Sequence, residues 1–256
     1  MSTQQHISAR AAGVQDHMAP AQTWDDTTPT TRTIKRLLAI GVVGSVLFTA
    51  TWLIAGATRP DYDAWRQPIS ALSLGPGGWV QSVNFILFGL VIGCSTLGYR
   101  MALAPDLGAL AIPVLRVLAA LGLIADGLFA QDPANGYPLG SAAPLSPTLH
   151  GTIHQIGAIV AITALAVSCF VFAVRFAHEP GWRVWGPFAV AAGVLTIVFI
   201  AAFGAAIAHG PTGLLERLAS ETQALFSLAV SARLLVGTGR VSSRDTIPRG
   251  VSVARS

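Results

Sequence analysis

Two histidines four residues apart, His150 and His154, carry the sharpest chemical signal in this 256-residue chain. On a helix that spacing puts both imidazoles on one face. Together with a carboxylate or His209 they could hold a zinc-like ion that activates water. Asp126 and Asp132 precede them, and His209 and Glu221 follow, each near the same end of a long apolar run. Ionisable side chains at membrane depth are costly, and they point to function by default. Three chemistries fit the cluster. One is the metal site, with His150 and His154 as ligands and His150, His154 and Asp126 as catalytic candidates. The second is an anionic headgroup at the start of the helix that carries the histidines, where the backbone dipole favours negative charge; Asp132, His209 and Glu221 are candidate binding residues around it. The third is a structural tie, with the histidines hydrogen-bonding the aspartates across two helices. The pair lacks the glutamate of zinc-peptidase motifs, so metal and cofactor stay open.

The elements that must position these residues are membrane spans. The chain is 52% hydrophobic and 11% charged, against about 25% charged for soluble domains, with a mean hydropathy of +0.60. Its first apolar run, Leu37 to Ala57, carries no charge, and at about 1.5 Å per residue it covers about 31 Å, enough for a hydrocarbon core. Five further runs follow, near Val80–Tyr99, Leu107–Ala130, Pro147–Phe176, Val184–Ala208 and Leu214–Val236. Ser146-Pro147 reads as the cap of the fourth, and Pro113 as a kink in the third or its start. The sixth carries Glu216, Arg217 and Glu221 in its first half, which weakens it as a span. The expected fold is an all-α bundle of six transmembrane helices over residues 34–236. A polar tail, residues 1–33, precedes it as a disordered cytoplasmic segment, and a basic cytoplasmic tail, residues 237–256, follows.

Orientation comes from the basic residues. One set of segments holds Arg32, Lys35, Arg36, Arg100, Arg175, Arg183, Arg233 and the arginines of the C-terminal tail; the alternate set holds only Arg59, Arg66 and Arg217. The richer side is cytoplasmic, so both termini lie inside, and the loops 58–79 and 131–149 face outward with the candidate site. The net charge of +4 forms no basic stripe with interleaved aromatics, which argues against nucleic acid as a partner. Membrane lipids are the expected one.

Small residues mark close helix approaches. Gly89 and Gly93 do so on the second run, Gly157, Ala161, Ala164 and Ser168 on the fourth, and Gly41, Ser45, Thr49 and Gly56 on the first. A polar stripe on the sixth, Glu216, Ser220, Gln223, Ser227 and Ser231, is either a packing seam or a hydrophilic path. Arg217 stands four residues before Glu221, within reach of an ion pair. Cys94 and Cys169 sit inside apolar runs and read as small buried hydrophobes. Ser70 lacks the flanking glycines of a nucleophile elbow.

Several short patterns carry a family resemblance. The first outer loop reads Ile69-Ser-x-Leu72, then Gly78-Trp79, then Asn84-Phe85-x-x-x-Gly89. The later stretch reads Phe129-x-x-Asp132-Pro133, then His150-Gly-x-x-His154. These segments resemble the bacterial membrane family catalogued as domain of unknown function 998, over about residues 37–236. The resemblance implies six spans and a multi-pass protein of the bacterial cell membrane, and it transfers no activity. Two functions stay open. One is a protein that binds a lipid or small molecule or supports a membrane complex; the other is a membrane-embedded hydrolase, with or without a metal, using the His/Asp cluster.

Overall fold

The computed structural model describes residues 28–103, 108–179, 181–207 and 210–237. Within them the chain is helical, with six long helices and one short 3-10 turn. Helix α1 spans Pro29–Thr58, α2 Trp79–Ala102, α3 Ala111–Leu128, α4 Leu149–His178, α5 Trp185–Ala206 and α6 Thr212–Gly237; the 3-10 turn is Ile69–Ser73. The first five are long and apolar enough to cross a membrane. Helix α6 is 26 residues long, about 39 Å at 1.5 Å per residue, but its charged first half keeps it below that standard.

Local sequence sets the helix ends. Thr28 caps α1 by accepting from the Thr31 N–H at 3.2 Å, and Pro29 takes the first helical position, where it has no N–H to waste. The helix therefore begins inside the polar stretch assigned above to the tail; residues 1–27 lie outside the described residues, as do residues 238–256 of the basic tail. Thr148, rather than Ser146, caps α4, its hydroxyl oxygen accepting from the Gly151 N–H. Pro113 lies in the first turn of α3 and marks its start.

Each helix packs on the next in the chain, and α6 returns to α1, so the six form a closed ring. The outside of the ring is apolar, with Leu47, Ile54, Leu87, Leu90 and Ile197 each more than half exposed, as suits contact with lipid tails. Between such helices there is no hydrophobic drive, so close packing does the work. An ideal Cβ on Gly122 of α3 would lie 2.5 Å from the Gly157 carbonyl of α4 and 2.9 Å from the Ala161 nitrogen. The small face of α4 is thus the α3–α4 seam. Gly89 likewise admits the Ala120 carbonyl, while a Cβ on Gly93 would meet nothing within 4 Å. Gly122→Ala is accordingly expected to cost about 1–3 kcal/mol by overpacking, and Gly93→Ala to leave thermal stability unchanged or slightly higher. Equal melting shifts for the two variants would contradict this account of the seam.

The two ends of the ring differ. At the end away from loops 58–79 and 131–149, Tyr99, Phe172, Phe176, Trp182 and Phe226 fill the interior in one aromatic cluster. At the loop end the interior is hollow.

Candidate functional site

The hollow is a cavity of about 150 Å³ whose lining comes from all six helices and the loops above them. Its apolar wall includes Phe48 of α1, Phe85 and Phe88 of α2, and Ile200 and Phe203 of α5. Its polar groups gather toward the loops: Asp126, His154, Glu216, Ser70 and Gln131. An engineered cavity of about this size stays dry and takes benzene when its lining is wholly apolar; this one carries polar groups at one end.

Asp126 lies in the last turn of α3 and is 4% exposed. Its Oδ1 has no hydrogen-bond partner among the described residues. Gly157 makes the room for it, since a Cβ there would stand 2.6 Å from that oxygen. His154, also 4% exposed, places Nδ1 2.8 Å from the Phe129 carbonyl and 3.2 Å from the Asp126 carbonyl. Carbonyls only accept, so Nδ1 carries the proton and Nε2 is the acceptor in the neutral ring. The Asp126 carboxyl is 4.0 Å from Nδ1. Backbone carbonyls where α3 ends, not the carboxylate, therefore fix the tautomer.

The other residues named from sequence go elsewhere. His150 is exposed and packs edge-on against the Phe129 ring at 5.3 Å; it sits a turn nearer the helix end, beyond the cavity. Asp132 accepts from the Thr148 N–H at 3.0 Å and the Thr148 hydroxyl at 2.6 Å. That seat at the start of α4 is the one an external anion would need, and the chain's own carboxylate fills it. Glu221 accepts from the Thr49 hydroxyl at 2.7 Å, across the α1–α6 contact. It is paired within the bundle but faces away from the cavity. His209 lies outside the described residues. Among the described residues, no three His, Cys, Asp or Glu side chains come together as a metal-binding group.

The far wall is formed instead by Glu216, Ser220 and Gln223, the first half of the polar stripe. The second half is a seam: Ser231 pairs with the Tyr99 hydroxyl at 2.7 Å, and the Ser227 hydroxyl accepts from Arg116 at 3.1 Å. Arg116 is fully buried, with its guanidinium also over the Tyr99 ring. Seam and cavity wall thus share one helix face.

A lid closes the loop end. Glu216 accepts from the Ile69 N–H and so caps the 3-10 turn. The Ser70 hydroxyl donates to Gln131 at 2.5 Å, which ties loop 58–79 to loop 131–149. Asn135 donates to the Arg66 carbonyl and the Thr212 hydroxyl. Arg217 does not pair with Glu221. It donates to the Ala64, Gln67 and Gly213 carbonyls and to the Tyr62 hydroxyl, with its charge over the Trp52 and Tyr62 rings. Burial pushes the Tyr62 hydroxyl up to about 12, with Arg217 working against it. A loop whose carbonyls converge on one half-buried guanidinium is a fixed structure rather than a tether.

These lid and wall elements are the segments that carry the family patterns, Ile69-Ser-x-Leu72, Asn84-Phe85 and His150-Gly-x-x-His154. Residues 42–233 match the model of the family described as Protein of unknown function (DUF998). The chain belongs to that family. No curated protein and no solved structure matches it. The DUF998 match takes in every residue of the cavity and its lid, and it brings no activity with it.

Proposed function

We propose that this DUF998 protein is a six-span, multi-pass protein of the bacterial cell membrane that binds a lipid or small amphiphile in the cavity beneath its outer loops. The observation that carries the reading is the Asp126 carboxyl, one of its oxygens unpaired among the described residues, in the polar end of an otherwise apolar cavity. A buried polar atom left unpaired costs about 1–3 kcal/mol, and a ligand or its water would relieve that cost. A cavity of about 150 Å³ is below the usual range for whole drug-sized ligands. It suits a headgroup or one ring, with the remainder of the ligand lying outside.

The sixth span rests on α6 closing the ring between α5 and α1. Orientation rests on the arginines. Those of the loop end, Arg59 and Arg217, are engaged with loop carbonyls, whereas the greater number flank the other end. Single cysteines in either tail, in a background lacking Cys94 and Cys169, are expected to resist an impermeant maleimide in intact cells, and those in loops 58–79 and 131–149 to react. Opposite labelling of the two tails would overturn the even number of spans. For binding, protein purified gently from membranes is expected to carry a small amphiphile at one per chain, seen by native mass spectrometry. Bare protein that no fraction of the membrane lipid extract stabilises against heat would overturn the binding reading.

A further inference from the structure

The binding reading leaves the ligand's chemistry open, and the lining narrows it. No lysine or arginine lines the cavity among the described residues, while two carboxylates do, Asp126 and Glu216. Three hydrogen-bond donors near them are already engaged. His154 Nδ1–H goes to the Phe129 carbonyl, the Ser70 hydroxyl to Gln131, and the Gln223 amide to Thr196 at 2.7 Å. The charge of the lining is that of its carboxyls, and His154 Nε2 is an acceptor in the neutral imidazole. An anionic headgroup would meet repulsion there. A donor suits these carboxyls, and a positively charged one gains most, because its hydrogen bonds to a carboxylate are charge-assisted.

The mouth of the cavity indicates where such a ligand comes from. Gln155 and Ile159 of α4 line it and are exposed, and Ile200 and Phe203 of α5 are half-buried. Helix α5 packs on both α4 and α6, so the opening lies on the flank of the ring, among side chains that face lipid. The loop end above is closed by the lid described earlier.

We propose that the cavity takes the head of a membrane-dissolved alkyl ammonium, entering sideways from the bilayer past α4 and α5, with Asp126 as its counterion. The proposal rests on the binding reading above. The test uses the full-length protein in lipid nanodiscs at neutral pH, with three probes of one chain length: dodecylamine, dodecanol and dodecanoate. Dodecylamine is expected to raise the melting temperature and bind at least about tenfold tighter than the other two, the effect of one charged hydrogen bond. Asp126→Asn is expected to remove that tenfold preference. Dodecanol or dodecanoate binding as tightly as the amine to the wild-type protein would overturn the proposal, as would an amine preference that survives Asp126→Asn. If that variant does not fold, the wild-type probe series decides alone. Ala158→Trp, which blocks the cavity from its half-buried wall, separates the two levels. Alcohol and amine binding alike, both lost in Ala158→Trp, would keep the cavity as a binding site and discard the ammonium. Binding of every probe unaffected by Ala158→Trp would discard both.

Discussion

Arg217→Ala is expected to unfasten loop 58–79 and to lower stability by at least about 2 kcal/mol, since hydrogen bonds to a charged group are worth about 1.5–3 kcal/mol each and are not additive. One guanidinium holds the Ala64 and Gln67 carbonyls, the Tyr62 hydroxyl and its own Gly213 carbonyl, and its face covers two rings. No neighbour can supply those donors in that fork. Arg217→Lys keeps the charge but loses the planar fork, so it is expected to fall between the wild type and Arg217→Ala. The local readout is amide hydrogen exchange at Ile69, Ala71 and Leu72, which are fully buried beneath the loop. Their protection is expected to drop in Arg217→Ala, while that of Phe172 and Phe226, at the other end of the ring, holds. Unchanged exchange at the 3-10 turn would contradict the role given to Arg217.

The spans were readable because a bilayer imposes a length and an apolar composition, and all six runs become helices, within four residues of their expected ends except at the start of α1, which begins eight residues early at Pro29. The α3–α4 seam was readable for a related reason: Gly157, Ala161 and Ala164 recur at helical spacing, and small residues are what close backbones require. The site was harder. Asp126 and His154 could be paired because a single connection joins α3 to α4 and makes them neighbours. His150 could not be separated from His154 by periodicity, because four residues keep one face; only the depth of Phe129 decides which imidazole reaches the interior. Glu221 drew attention as the acid set deepest in its run, yet it stands about 140° around the helix from Glu216 at 100° per residue. The face shared by Glu216, Ser220 and Gln223 was visible as a stripe. That half of it walls a cavity while the rest packs on Tyr99 and Arg116 depends on contacts with other helices, which no single stretch of sequence records. Asp132 as the partner of the α4 cap Thr148, and Arg217 as the centre of a loop, are likewise long-range pairings between residues 16 and about 150 apart in the chain.

Ala158→Trp tests the central claim, that the cavity is the seat of a ligand, most directly. Ala158 lines the cavity and is only half-buried, so an indole there can turn into the hollow without breaking the α3–α4 seam, which runs through Gly157 and Ala161. Filling a pre-existing cavity does not by itself destabilise a fold in the way that overpacking a filled core does. Native mass spectrometry of wild-type and Ala158→Trp protein, purified side by side, reads occupancy against that background. The account predicts an amphiphile bound to the wild type and none bound to Ala158→Trp, with melting temperatures that differ little once the wild type's ligand is removed. An amphiphile retained at wild-type occupancy in a folded Ala158→Trp protein would contradict it.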